Sequence, residues 1–127
     1  MRTDRQCLGQ KGEELAVQYL LQKGYTILER NLRIRRAEID IVCLENNDLV
    51  LVEVKSVRAL HWGYGEERIS NKKKKMLIQA GYAFLDLNPD LMEKNMRFDV
   101  IVIDFSSYPA AIKHYQGAFW QTSADCL

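Results

Sequence analysis

Several kinds of residue and segment are scarce in this 127-residue sequence, and each scarcity excludes a class of protein. Only two prolines and seven glycines are present, and 47% of the residues are hydrophobic, so the composition excludes a disordered or fibrous chain. No segment approaches the roughly 18 uncharged apolar residues of a membrane helix. The first residues lack the apolar stretch of a secretory signal, and the three cysteines, Cys7, Cys43 and Cys126, are widely spaced. We therefore expect a cytoplasmic protein with no membrane partner.

Charge of one sign is also not in excess, since the formal net charge is only +1. A nucleic-acid partner can therefore be indicated only by a local basic patch. Arginines cluster between residues 30 and 36, and four lysines run together from 72 to 75. Each cluster is either a phosphate-binding surface or a solvated face. The candidate nucleic-acid contacts are Arg33, Arg35, Arg36, Lys72, Lys73 and Lys74.

The spacing of apolar residues predicts two helices and at least four strands. The first helix covers residues 8–22, and a second runs from an N-cap at Ser70 to about Leu87. Strands are predicted over residues 25–32, 38–44, 49–54 and 98–104, with a further edge strand over 111–115. The order α-β-β-β-α-β predicts an α/β fold, in which helices flank a mixed sheet. We expect one domain over residues 1–127, with the part after about residue 117 as a candidate flexible tail.

A tight turn between the second and third predicted strands aligns acidic residues. Residues 45–48, Glu-Asn-Asn-Asp, have strong turn chemistry. An even-length turn places Asp40 opposite Glu53 and Glu38 opposite Lys55, and opposed residues project from one face. The hairpin would then gather three acids and one lysine. An odd-length loop would shift the register by one residue and destroy the arrangement.

Glu13 interrupts the apolar face of the first predicted helix, because it projects between Val17 and Leu20. It is either an acid favoured near a helix N-terminus by the helix dipole or a further member of the acidic site.

The lysines of the second predicted helix oppose the positive end of its dipole, and Lys73 shares a face with Leu77 and Phe84. A bound phosphate would relieve both conflicts, because the free amides of a helix N-terminus bind anions. The alternative is that the stem of Lys73 lies along apolar surface with its amine in water.

These residues lie in stretches that resemble the YraN-like family of uncharacterised bacterial proteins, UPF0102. The resemblance covers nearly the whole chain and is carried by Gly12-Glu13-Glu14-Leu15-Ala16, Glu38-Ile39-Asp40-Ile41, Val52-Glu53-Val54-Lys55 and Arg97-Phe98-Asp99-Val100, among others. That family is assigned to the PD-(D/E)xK nuclease superfamily, so the resemblance implies a restriction-endonuclease-like core related in architecture to archaeal Holliday-junction resolvases. Two departures are visible. Ala37 replaces the glycine that usually precedes the family's Glu-Ile-Asp, and Ile39 stands where the superfamily's name has proline.

The resemblance implies that Asp40 and Glu53 bind a divalent cation, Mg²⁺ or Mn²⁺, together with the Val54 carbonyl. Lys55 would position or deprotonate the attacking water, and Glu13 would correspond to an acid that many resolvases add from a helix. The chemistry of the residues agrees, since carboxylate and carbonyl oxygens suit Mg²⁺.

Glu38 is assigned a supporting role beside Lys55. Because Glu38 and Glu53 are both expected near its amine, Lys55 should stay protonated, which favours charge stabilisation over a role as base.

Two functions follow from this reasoning. The first is a metal-dependent endonuclease that hydrolyses phosphodiester bonds in structured DNA, for which a homodimer would let two sites cut two strands. The alternative is a nucleic-acid-binding module of the same fold without appreciable cleavage. Opposed carboxylates favour the enzyme, because a binding module has no need of acids that repel phosphate.

Other residues carry weaker signals. His61 and His114 lack cysteine partners at metal spacing, so a zinc site is not expected. Asp99 is expected to pair with a neighbouring base rather than to serve chemistry, and Phe119 and Trp120 are the only hint of a protein-interaction role.

Overall fold

In the computed structural model, which describes residues 3–58 and 70–119, five strands form a mixed sheet with a helix on each face. The elements are α1 (Asp4–Gln22), β1 (Thr26–Ile34), β2 (Ala37–Glu45), β3 (Asp48–Val57), α2 (Asn71–Leu87), a 3-10 turn (Pro89–Leu91), β4 (Asn95–Asp104) and β5 (Ala111–Phe119). This order confirms the predicted α/β class. His61 and the part of the predicted tail from Trp120 onward lie outside the described residues.

The ends of both helices are set by local hydrogen bonds. Helix α1 begins at Asp4, four residues earlier than predicted, because Thr3 and Gln6 form a capping box in which each side chain bonds the other's backbone N–H (3.1 and 2.9 Å). It ends before Gly24, whose φ of +92° suits glycine. The predicted N-cap of α2 is confirmed, since Ser70 Oγ accepts from the Lys73 N–H at 3.1 Å.

The strands lie in the order β1-β2-β3-β4-β5, so β1 and β5 are the edges of the sheet. Neighbouring strands are antiparallel except β3 and β4, which are parallel and are connected through α2. Edge strand β1 contains a bulge between Ile27 and Glu29.

Two apolar layers lie on the two faces of the sheet. Helix α1 packs with Leu20 against Ile41, Val52 and Ile101, whereas α2 packs on the other face. The second layer contains Ile39, Leu51, Leu77, Phe84 and Phe98. Because the central strands are covered on both faces, β3 and β4 have nearly continuous apolar sequences. Neither described helix is long and apolar enough to span a membrane.

A buried ionic network joins β4 to β5. The Asp99 carboxylate accepts from Nε and Nη2 of Arg97, both at 3.0 Å, and lies 2.7 Å from His114 Nε2. Arg97 Nη1 in turn donates to Glu45 and Asp48 at 2.8 and 2.9 Å. Burial alone would raise the pKa of Asp99, but the hydrogen bonds from His114 and Arg97 hold it below its ordinary value. The prediction that Asp99 pairs with a base is confirmed.

Strand β5 continues four residues beyond its predicted end at Tyr115. The register between β4 and β5 shifts between Phe98 and Val100, so residues 116–118 of β5 form a bulge opposite Asp99. Gly117, with φ of +58°, directs its N–H to the Asp99 carboxylate at 3.0 Å. Residues 117–119 are therefore strand rather than tail.

Replacement of Asp99 by Asn should destabilise the protein by about 3–5 kcal/mol at neutral pH, because Arg97 would keep its buried charge without the fully buried carboxylate that accepts two of its hydrogen bonds. The folded-state pKa of Asp99 is lowered, so its stabilisation is fully present above the unfolded value of about 4 and is lost as the pH falls through the folded value. Urea unfolding of both proteins at pH 7 and pH 3 measures this, with the exposed Asp90→Asn as control. Equal losses in the two variants would contradict the assignment.

Candidate metal and nucleic-acid site

The candidate site lies where β2 and β3 stop pairing. Their backbone pairs run from Glu45 opposite Asp48 to Ile41 opposite Val52, which confirms the register predicted from the even-length turn. The expected backbone pair between Asp40 and Glu53, one position further, is not formed. Instead, Asp40 Oδ2 accepts from the Val54 N–H at 2.8 Å, so a carboxylate takes the place of a backbone carbonyl in the ladder.

Glu53 meets two lysines from different elements. Its Oε1 lies 3.2 Å from Lys55 Nζ on the same strand and 2.7 Å from Lys73 Nζ in the first turn of α2. The Glu53 side chain is only 12% exposed, while the lysine side chains are 31% and 40% exposed. Lys55 and Glu53 thus share a face, as predicted. Lys73 turns its amine into the site, in contrast to the alternative in which that amine stays in water.

Asp40 carries the strongest electrostatic perturbation in this region. Burial, followed by the negative charge of Glu53, raises its pKa from 3.8 to about 7, and Glu13 adds in the same direction. The Val54 N–H and Lys73 act in the opposite sense but do not cancel the effect. The ionised form of Asp40 is therefore disfavoured, first by burial and then by Glu53, and a proton or a bound cation would relieve this.

Glu13 is brought to the site by a close approach of α1 to β3. A Cβ atom on Gly12 would overlap the Ser56 side chain, so glycine permits this approach beside Glu13. The carboxylate is held from β1 by Asn31, whose amide nitrogen lies 3.1 and 3.2 Å from the two oxygens of Glu13 in the orientation that places a donor against them. Asn31 has φ of +51°, a backbone conformation that asparagine tolerates better than most residues.

Asn31 is the site residue that the sequence analysis did not identify. The available signal was an asparagine inside the predicted strand 25–32, since this residue type is depleted in strands.

Glu38 does not join the acidic pair. Residues 37–40 of β2 are paired with β1 but not with β3, so Glu38 lies opposite Arg33, with 3.6 Å between their charged groups. The predicted pairing of Glu38 with Lys55 is therefore wrong. Besides Asp40 and Glu53, the third acid of the site is Glu13, which is close enough to raise the pKa of Asp40.

The two predicted basic clusters meet beside the site. Arg33, Arg35 and Arg36 are exposed at and before the β1–β2 turn, in which Arg35 has φ of +56°. A groove of about 320 Å³ joins this turn to the start of α2, and it is lined by Arg36, Ala37, Glu38, Ser70, Lys72, Lys73, Met76 and Leu77. Lys74 is half-buried and is not among these lining residues. The groove places Arg36 near Lys72 and Lys73, a geometry suited to a phosphate backbone.

The oxygen donors fit a hard divalent cation. In an extended strand the N–H and C=O of one residue point to the same side, so the Val54 carbonyl is directed towards Asp40, where β2 no longer pairs with β3. Within residues 3–58 and 70–119, no three His, Cys, Asp or Glu side chains form a metal-binding group. The protein would thus supply two carboxylates and a carbonyl, and the remaining ligands would be water or phosphate.

The fold and this site define a mixed α/β protein that places two carboxylates and two lysines where strands of its sheet separate. The chain belongs to the uncharacterised protein family UPF0102, whose profile matches residues 12–103 and thus spans all these groups. This confirms the predicted family. A UPF0102 protein of Persephonella marina is 45% identical over 95 residues, covering 75% of this chain and 81% of the relative. A UPF0102 protein of Chlorobium limicola is 38% identical over 127 residues, covering 95% and 98%.

Replacement of Asp40 by Asn should stabilise the metal-free protein by up to about 4 kcal/mol at pH 8. The folded-state pKa of about 7 lies above the unfolded value, so the folded wild type loses stability as the pH rises from about 4 to 7. The gain in the variant should therefore be near zero at pH 4 and constant above pH 7. Urea unfolding in a chelator across this range measures the gain. The exposed Asp86→Asn is the control, and a gain of equal size at pH 4 and pH 8 would contradict the assignment.

Proposed function

We propose that this protein is a PD-(D/E)xK-type endonuclease that hydrolyses phosphodiester bonds in structured DNA with Mg²⁺ or Mn²⁺ as cofactor. The observation that carries the proposal is the pair of carboxylates, Asp40 and Glu53, at the separation of β2 and β3, with Lys55 beside them. Acids opposed across a strand gap repel phosphate unless a cation lies between them, so the arrangement favours metal-assisted chemistry over binding alone.

Asp40, Glu53 and the Val54 carbonyl would hold the cation. When bound, Mg²⁺ polarises the phosphate and stabilises the leaving oxygen. The Val54 N–H fixes the Asp40 carboxylate, so binding of the ion would require a change mainly in the lysine contacts of Glu53.

The two lysines have different parts in this proposal. Lys55 lies on the same strand as Glu53 and supplies positive charge to the reacting phosphate as negative charge develops on its oxygens. Lys73 comes from α2 and pairs with Glu53, and its amine would turn to a phosphate oxygen if Glu53 held the cation. The Asn31 amide orients Glu13, which would hold a water by its carboxylate beside the other two acids.

A high energetic cost supports a functional role for Asp40. A carboxyl group whose pKa is raised to about 7 destabilises the folded protein at neutral pH, and such costs are typical of sites retained for function. The adjacent groove with Arg36, Lys72 and Lys73 would receive the DNA backbone, since phosphate contacts position a duplex without performing hydrolysis.

Cleavage and binding should respond to different substitutions. We expect the wild type to cut at least one member of a panel of linear, flapped and four-way DNA substrates with Mg²⁺ or Mn²⁺. Glu53→Gln and Lys55→Ala should lose about 100-fold or more of this activity while keeping most of the affinity measured in a chelator. The double variant Arg36→Ala, Lys72→Ala should instead weaken binding and reduce its log-log salt slope by about one unit per lost phosphate contact.

Lys94→Ala, at the opposite end of the sheet beside Asn46, is the control for a lost surface lysine. Cleavage that persists in Glu53→Gln would rule out this site. Binding without cleavage by the wild type would favour the alternative of a nucleic-acid-binding module.

Metal binding provides an independent check that requires no substrate. Isothermal titration of Mn²⁺ into the wild type should show one site of modest affinity, because the protein supplies only three of the ligands. The double variant Asp40→Asn, Glu53→Gln should bind about ten-fold more weakly or not measurably. Equal binding by both proteins would mean that the ion lies elsewhere.

A further inference from the structure

A second groove, of about 960 Å³, lies apart from the acidic site. It is formed between the N-terminal half of α1 and the loop that joins β4 to β5. Its lining includes the cations Lys11 and Arg58, the aromatic residues Phe105 and Tyr108, and the hydroxyls of Ser106 and Ser107. None of these residues belongs to the site described above.

The chemistry of this groove is both basic and aromatic. Tyr108 is 100% exposed, so both faces of its ring are open to a ligand. Lys11 and Arg58 are exposed, and neither forms an ion pair with an acid in the part of the chain that the structure describes. No carboxylate is among the described lining residues. Unpaired positive charge beside an open aromatic ring is the combination with which proteins bind single-stranded nucleic acids.

The groove is close to the acidic site along the sheet. Strand β3 leads from Glu53 and Lys55 to Val57, whose carbonyl accepts from the Phe105 N–H at 2.7 Å, and Arg58 follows directly. Glu53 and Val57 are four residues apart on this strand, which corresponds to about 13 Å. Because β3 and β4 are parallel, their carboxyl ends lie side by side at the same end of the sheet, which is where ligands of open α/β sheets bind. A polynucleotide could reach this groove from the acidic site by passing around the carboxyl ends of these two strands, from the α2 face to the α1 face of the sheet.

We propose that the groove binds a single-stranded nucleic-acid segment continuous with the strand that is cut, with a base stacked on Tyr108 and phosphates at Lys11 and Arg58. The assignment rests on the proposed nuclease function for the origin of that strand. It specifies the substrate class as nucleic acid with an unpaired segment beside the scissile bond. A base face can stack on an exposed ring only when the base is unpaired, so an intact duplex cannot use Tyr108 in this way.

Binding of dye-labelled single-stranded DNA, single-stranded RNA and duplex DNA, followed by fluorescence anisotropy in a chelator, tests the proposal. Tyr108→Ala should weaken single-strand binding about five-fold or more and leave duplex binding unchanged, whereas Tyr108→Phe should retain wild-type affinity. The double variant Lys11→Ala, Arg58→Ala should reduce the salt slope for single strands by about 1.4 units. Tyr82→Ala removes an exposed tyrosine from α2, on the other face of the sheet, and is the matched control.

The outcomes separate this proposal from the proposed nuclease function. Unchanged single-strand affinity in Tyr108→Ala, or an equal loss for single strands and duplex, would overturn the groove assignment even if the protein cleaves DNA. A protein that never cleaves, but whose single-strand binding depends on Tyr108 and not on Tyr82, would support the groove and remove the nuclease. The relative affinities for DNA and RNA then identify which single strand the groove accepts.

Discussion

The hydrogen bond between the Val54 N–H and the Asp40 carboxylate sets the geometry of the candidate site. In a continuous ladder that N–H would meet a backbone carbonyl of β2, and the two strands would remain 4.7–4.9 Å apart, as neighbouring strands generally are. The side chain takes over the acceptor role, so the strands part without leaving a buried donor unpaired. The Val54 carbonyl is directed towards Asp40 at this point, the charge of Glu53 is near enough to raise the pKa of Asp40, and Lys73 reaches Glu53 from α2. The placement of Asp40 at the separation of the strands follows from this one substitution of acceptor.

The sequence was sufficient to predict the features that depend on local chemistry. The Asn46-Asn47 turn predicted the register of β2 against β3, because an even-length loop allows only one parity of pairing. The N-cap at Ser70 could be predicted in the same way, since the preference of serine for this position arises within one turn. Lys55 and Glu53 share a face because the strand has a period of two.

Features that depend on distant contacts could not be predicted. Regular pairing would have placed Glu38 beside Lys55, and nothing in the local sequence indicates that β2 leaves β3 while it remains with β1. The length of β5 was underestimated for a similar reason. The bulge at Gly117 is stabilised by Asp99, 18 residues away, and a window of neighbouring residues does not contain that contact. The role of Asn31 depends on the approach of α1, which sequence periodicity cannot locate.

The bulge in β5 has a further consequence for how copies of the chain meet. A sheet edge with a regular row of free backbone groups is a template on which another molecule can add a strand, which leads to aggregation. In the described part of the fold, β5 interrupts that row at residues 116–118, and the opposite edge, β1, is interrupted between Ile27 and Glu29. Exposed charges at Glu29, Arg30 and Arg33 further disfavour a neighbouring strand on that side. The bulge that directs the Gly117 N–H to Asp99 thus also disfavours the addition of another strand beside β5.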